Sequence, residues 1–223
     1  MKPVCLVLGA GAGIGGTVAA KFASEGYHSY LCRRSDQEGL DKLIKGIEDA
    51  GGSASGSLMN AIEEDALEEV ITKVESDVGP IEVLVYNLGA QTGMKLLSQT
   101  THKEFEWGWR MASFGLFRVA KILCPIMAER GKGTFLVTSA TAAMRGNATQ
   151  HSHAAAMGAR RMLCQSLNAE FASQGIHVAH IVVDGAVDAP DTLGKMLGPE
   201  MYQQLRETKG MEHDGLLLPK EIA

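Results

Sequence analysis

The chain has 223 residues, 45% hydrophobic and 21% charged, a mix that supports one sizeable core and argues against a disordered chain, a collagen-like repeat or a disulfide-dense mini-protein. Lys and Arg number 21 against 26 Asp and Glu, a net charge of −5. No overall basic field exists to collect nucleic acid or anionic lipid, so neither nucleic acid nor membrane is expected as a partner.

Cys5, Cys32, Cys124 and Cys164 lie far apart and form no C-x-x-C pair, the usage of a reducing compartment. The apolar run Val4 to Leu8 that follows Lys2 is too short for a signal-peptide core and suits a buried strand. By this reading no stretch approaches the length of a membrane span, and a cytoplasmic protein is expected.

In chain order, short β-branched or apolar runs alternate with longer amphipathic segments. The expected strands are 4–8, 28–32, 53–59, 81–86, 133–139 and 176–183, with helices between them. Gly26, Gly51, Gly79, Gly131 and Gly175 each stand just before a strand, where the preceding helix needs a left-handed residue at its end. This rhythm predicts βαβ units in a single α/β domain, a doubly wound parallel β-sheet with helices on both faces. After Asp184 the alternation stops. Residues 184–220 carry Pro190, Pro199 and Pro219 and one expected short helix over 199–208, and are expected to close over a substrate.

Leu8-Gly9-Ala10-Gly11-Ala12-Gly13-Ile14-Gly15 follows a strand and opens a helix. Backbone N–H groups at such a helix start bind a pyrophosphate, and positions without side chains let the backbone approach it. The bland alternative is a tight β-to-α turn and nothing more.

The spacing of Gly9, Gly13 and Gly15 resembles the G-x-x-x-G-x-G turn of the short-chain dehydrogenase/reductase family, which implies a Rossmann-type fold and a dinucleotide partner. Tyr86-Asn87-Leu88-Gly89 resembles that family's Asn-Asn-Ala-Gly, with Asn87 and Gly89 retained. Gly115 and Phe117 match its Asn-x-x-Gly-x-Phe helix. Asp184-Gly185-Ala186-Val187 resembles its Pro-Gly-x-Val, where Val187 would offer a backbone amide to the nicotinamide carboxamide. The resemblance spans essentially the whole chain.

At the end of the second expected strand stand Arg33 and Arg34, where a carboxylate would favour NAD. Guanidinium groups grip a 2′-phosphate, so NADP(H) is expected over NAD(H); the alternative is a pair of solvated loop arginines. Asn60, followed by Ala61, stands where the family usually holds adenine with an Asp. The expected cofactor residues are therefore Gly9, Gly11, Gly13, Ile14, Gly15, Arg33, Arg34, Asn60, Ala61, Asn87, Gly89, Gly185 and Val187.

The resemblance also implies a Tyr, a Lys four residues later, a Ser and an Asn at the reaction centre. Here the four positions hold His153, Met157, Ala140 and Ala112. The tyrosines are Tyr27, Tyr30, Tyr86 and Tyr202, and no Lys falls between Lys132 and Lys195, so a shifted alignment does not restore them. His153 is the titratable group at the proton-donor position, and it reads equally as a partly buried histidine beside the cofactor. Ser139, one place from the Ser position, needs a bulge or the strand's end to reach a substrate. Arg161, one turn beyond Met157, reads as a surface or phosphate-facing arginine. His151 and His153 point to different sides of a helix with no local Cys or acid, so no metal is expected.

Met196, Leu197, Met201, Tyr202 and Met211, with Trp107 and Trp109, suit an apolar small-molecule substrate, and suit a core or subunit interface equally. Asp184, Asp188 and Asp191 would bring negative charge to the nicotinamide end. Residues 218–223 resemble the start of the family's last helix, after which a seventh strand is expected. The chain is then either truncated or open at that edge, and a homo-oligomer is expected. Three functions remain open: a cofactor-binding homologue with a non-standard or inactivated site, an active carbonyl/alcohol oxidoreductase using His153, or a structural subunit pairing with an active homologue.

Overall fold

The computed structural model describes residues 2–89, 94–209 and 216–223. Six parallel strands form one sheet in the order β3-β2-β1-β4-β5-β6: β1 (Val4–Leu8), β2 (His28–Arg33), β3 (Ser53–Leu58), β4 (Ile81–Tyr86), β5 (Gly133–Ala140) and β6 (Ile176–Val183). Every strand expected from the sequence is present, and its bounds move by one residue at most. β2 runs one residue further because the Met59 amide donates to the Arg33 carbonyl at 2.7 Å, continuing the ladder.

Helices α1 (Ile14–Ser24), α2 (Gln37–Asp49), α3 (Ala66–Lys73), α4 (His102–Trp109), α5 (Gly115–Glu129) and α6 (His151–Phe171) occupy the crossovers. Parallel strands need such covering on both faces, which is why β1 is buried at all five residues. Alternation sorts the two faces. Leu6, Leu8, Leu84, Tyr86, Phe135 and Val137 pack on the side of α3, α5 and α6. Cys5, Val7, Leu31, Val83 and Val85 pack on the side of α1 and α2. The five glycines expected to end helices all adopt positive φ.

α4 and α5 are joined by a five-residue π-helical turn, Arg110–Phe114, into one run from His102 to Glu129. This corrects the expectation that no stretch reaches membrane-span length: the run has 28 residues and contains an 18-residue window with a mean hydropathy of 1.5, long and apolar enough by those measures alone. Its apolar residues are the core, with Leu116, Val119, Leu123 and Met127 fully buried beneath the sheet.

Beyond β6 the chain forms a π turn (Pro190–Gly194), α7 (Lys195–Leu197), α8 (Pro199–Lys209) and α9 (Pro219–Ile222). The helix expected over 199–208 is thus present.

Candidate functional site

Reading along the sheet, the chain order reverses between β1 and β4, and in open parallel sheets the crevice beyond the strand ends at such a point holds the ligand. Gly9 ends β1 there. Its φ of +93° is left-handed, and a Cβ on it would stand 2.7 Å from the Asn87 carbonyl oxygen. Asn87, leaving β4, donates from Nδ2 to the Gly9 carbonyl at 2.9 Å and locks the two strand ends together. Gly15 is equally constrained, since a Cβ on it would run into the Gly9 carbonyl and lie 3.0 Å from Asn87 Nδ2.

The Gly9 and Ala10 amides both donate to the Cys32 carbonyl, and the Gly11 amide donates to Gly9. The next four amides, Ala12 to Gly15, find no acceptor among the described residues. No side chain caps α1 and its first turn holds no acid. The turn therefore offers a row of unsatisfied donors at a helix start, the arrangement that suits a phosphate oxygen. Ile14 is half-buried in this first turn.

Arg33 and Arg34 leave the end of β2 differently. Arg33 is largely buried and its Nη2 lies 2.7 Å from Asp36 Oδ2. Asp36 also caps α2 by accepting from the Gly39 amide at 2.9 Å. That amide, then the charges of Arg33 and Lys195, hold the Asp36 carboxyl below the usual carboxylate range. Arg34 is exposed and faces a hollow of 460 Å³ shared with Ser57, Asn60 and Lys73. Asn60 donates to Glu63 Oε1 at 2.9 Å, while the Ala61 and Glu63 carbonyls accept from Arg118 Nη1 at 3.2 Å. Arg118, on α5, also pairs in a two-pronged contact with Glu68 on α3, whose carboxyl is held low by that bond. This clamp under the β3 loop joins residues about fifty positions apart, and no local pattern announces it.

At the ends of β4 and β5 a cavity of 140 Å³ brings together Gly89, Ser139, Ala140, His153, Met157 and Arg160. β5 and β6 pair in continuous register through Ala140 and Val183, so Ser139 reaches the cavity at the strand's end and not through a bulge. Its buried hydroxyl lies 3.7 Å from the Met157 sulfur. Ala112, in the π turn, is fully buried and packs with Ala156 and Met157.

The arginine that reaches this cavity is Arg160, which the sequence reading passed over for its neighbour Arg161. Arg160 is 2% exposed. Its Nε donates to the Ala112 carbonyl at 2.9 Å, Nη1 to Thr138 at 2.5 Å and Nη2 to Leu88 at 2.7 Å. The guanidinium lies 5.2 Å from the centre of the Tyr86 ring. Tyr86 in turn donates to the Met111 carbonyl at 2.5 Å, and its hydroxyl fills the space where a Cβ on Gly115 would stand.

The segment after β6 folds back toward the glycine turn. A Cβ on Gly13 would lie 3.1 Å from that of buried Ala189. Val187 pairs with Leu217 through the Asp188 and Leu217 amides, which leaves the Val187 amide outside the pairing. Gly185 is exposed with φ +156°. Asp188 accepts from the Tyr202 hydroxyl and lies 3.3 Å from Arg206. Burial first, then Asp188, pushes the Tyr202 phenol up to about 12. Tyr202 and Asp188 are thereby used in holding the segment together, while Asp184 is exposed at its start.

Trp107 and Trp109 are not among the cavity residues. Trp109 stacks on Phe114 at 5.4 Å and Phe114 on Phe117 at 6.3 Å along an outward face, where Trp109 and Phe117 are exposed. Met201 is also exposed and Leu197 half-buried. Met211 and the side chains of Met196 and Asp191 lie outside the described residues.

Residues 3–194 match the short chain dehydrogenase family. The chain is 29% identical over 189 residues to 3-oxoacyl-[acyl-carrier-protein] reductase FabG of Thermotoga maritima, covering 85% of this chain and 76% of that protein. It is 25% identical over 218 residues to 7alpha-hydroxysteroid dehydrogenase of Escherichia coli K12, covering 98% and 83%. Among solved structures, a short-chain dehydrogenase from Rhodopseudomonas palustris superposes with a TM-score of 0.77 at 27% identity, covering 96% and 94% of the two chains. A gluconate 5-dehydrogenase from Burkholderia cenocepacia, in complex with NADP and tartrate, shares the fold with a TM-score of 0.81 at 24% identity over 99% and 84%. With its sheet order, its glycine turn and a match over most of its length, the chain belongs to the short chain dehydrogenase family.

Proposed function

We propose that the chain is an NADP(H)-binding member of this family whose hydride-transfer site is non-standard or silent. The observation that carries the reading is the contrast between two ends of one crevice. At one end stand features that would suit a dinucleotide: four consecutive amides without acceptors among the described residues, Gly9 and Gly15 where a Cβ would clash, and two arginines at the end of β2. At the other end the positions of the family's Tyr, Lys, Ser and Asn hold His153, Met157, Ala140 and Ala112.

Gly9, Gly11, Gly13, Ile14 and Gly15 would cradle the pyrophosphate, Arg33 and Arg34 the 2′-phosphate, and Asn60 with Ala61 the adenine side. Asn87 and Gly89 would border the nicotinamide ribose, and Gly185 with the Val187 amide the carboxamide. When bound, the nicotinamide would give or take a hydride. Met157 offers neither charge nor a hydrogen-bond donor to a ribose hydroxyl. Residues 184–220 would act as the substrate-closing segment, and the exposed aromatic stack of α4 and α5 as a contact surface in a homo-oligomer.

A second reading, an active carbonyl/alcohol oxidoreductase, is favoured by one observation: His153 and the Ser139 hydroxyl line the same cavity. His153 would give its proton to the substrate oxygen and Ser139 would orient that oxygen. A structural subunit that binds no nucleotide is less well supported, because the amide row serves no bond within the described fold.

The test is an NADPH fluorescence titration followed by a panel of aldehydes, ketones and quinones, on the wild type and on His153→Ala. Binding without turnover supports the silent reading, and turnover that disappears in His153→Ala supports the second. Absence of NADPH binding refutes both.

A further inference from the structure

The Arg160 side chain is a cation buried inside the protein. Among the described residues no carboxylate lies within ion-pairing distance of it. Tyr86, Cys164 and His180 are coupled to its charge, and His153 lines the same cavity. Burial pushes the Tyr86 phenol up and the Cys164 thiol to about 11, and burial with the nearby arginine charge pushes His180 down. Tyr86, Cys164 and His180 therefore bring no negative charge at neutral pH, whereas a guanidinium keeps its proton. Three carbonyl dipoles and the Tyr86 ring offset part of the cost of burying that charge.

A guanidinium has five N–H bonds, and Arg160 uses three of them on Ala112, Thr138 and Leu88, leaving two without an acceptor among the described residues. The side chain lines the 140 Å³ cavity whose other walls include the Ser139 hydroxyl and His153. That volume is below the range that takes a whole drug-sized ligand and suits an end group.

We propose that Arg160 makes this cavity a binding site for the carboxylate end of a small organic acid, held by the remaining guanidinium N–H groups with Ser139 alongside. The proposal deepens the reading above by giving the substrate its end group. It rests on that reading for the cavity's being the reaction site, and on Arg160 alone for the anion. Met157 is the built-in reporter, since its side chain also lines the cavity.

The experiment is a titration of the full chain carrying ¹³C-methyl methionine, with the Met157 signal assigned through Met157→Leu. Pyruvate and acetate are the charged probes; acetone and acetamide are their neutral counterparts. The expected result is a saturable shift of the Met157 methyl with pyruvate and acetate, at least tenfold tighter than with either neutral probe. Arg160→Gln should erase that preference and Arg160→Lys should keep part of it. Equal behaviour of charged and neutral probes, or no movement of the Met157 methyl with any of them, overturns the proposal. Should Arg160→Gln fail to fold, the comparison of probes on the wild type decides alone. NADPH binding is measured on the same samples. NADPH bound without a carboxylate preference refutes the anion site only, and a carboxylate preference without NADPH binding refutes the nucleotide reading only.

Discussion

Removing the Arg34 side chain should weaken NADPH and spare NADH, and the structure sets how much. Arg34 is exposed, has no ion-pair partner among the described residues, and faces the hollow beside Asn60. A two-pronged contact from it to a 2′-phosphate would be a charge-assisted hydrogen bond worth about 1.5–3 kcal/mol, the lower part of that range applying to an exposed group. At about 1.4 kcal/mol per decade, Arg34→Ala should raise the Kd for NADPH about tenfold, up to a hundredfold. Arg33 differs because it already holds Asp36 at 2.7 Å. Arg33→Ala removes one cation and also leaves an ionised Asp36, still accepting from the Gly39 amide, beside the phosphate. Its effect on NADPH should exceed that of Arg34→Ala, and Arg33→Asp, which adds a second acid, should exceed both. The assay is a fluorescence titration with NADPH and with NADH at one fixed ionic strength, because screening scales the whole effect. Equal losses for both nucleotides in Arg33→Asp would refute the 2′-phosphate assignment.

Other outcomes follow from the same contacts. Arg118→Ala cuts the two-pronged bond to Glu68 and two bonds to the Ala61 and Glu63 carbonyls; it should cost about 2–3 kcal/mol of stability in denaturant unfolding, and a loss under about 0.5 kcal/mol would refute the clamp. Glu104 is held at about 2 by the bond from Lys95, then by Thr101, so that contact is complete above about 4.5 and is lost as pH falls toward 2. A ¹³C carboxyl titration in which Glu104 protonates near 4.5 contradicts it. Burial pushes the thiols up, to about 12 for Cys32 and Cys124 and about 11 for Cys164, with Cys5 higher still. A disulfide reagent at pH 8 should modify all four slowly in the native protein and rapidly in denaturant; fast native labelling of any one argues against its buried position. Restoring Tyr at 153, Lys at 157 and Ser at 140 together should create measurable carbonyl reduction, and silence with NADPH still bound would mean that the pocket admits no carbonyl substrate.

The strands were legible because β2 to β6 each begin just past a helix-ending glycine, and all but the serine-rich β3 are also short runs dominated by apolar or β-branched residues. The glycine turn was legible because its residues are contiguous. Arg160 was not, since adjacent positions on a helix point about 100° apart and nothing in the pair Arg160-Arg161 says which turns inward. What turns Arg160 inward is a set of carbonyls from Leu88, Ala112 and Thr138, on three separate segments. The Arg118–Glu68 clamp was hidden for the same reason. Mean hydropathy also misleads at His102–Glu129, because a helix lying against a sheet and one lying in lipid share an apolar composition. The bulge considered for Ser139 proved unnecessary, since at the last residues of a strand both faces open onto the crevice.

The bonds that close the crevice all tie distant parts of the chain. Asn87 to Gly9 spans 78 residues, Arg160 to Leu88 72, and Arg118 to Ala61 57. A parallel sheet brings such partners together only after several crossovers are in place, so no fragment contains a working portion of the crevice. The crevice is therefore completed only at the end of folding. A nascent chain whose β5 and α6 are still in the ribosome has its glycine turn translated but lacks the Arg160 contacts that join Leu88, Ala112 and Thr138.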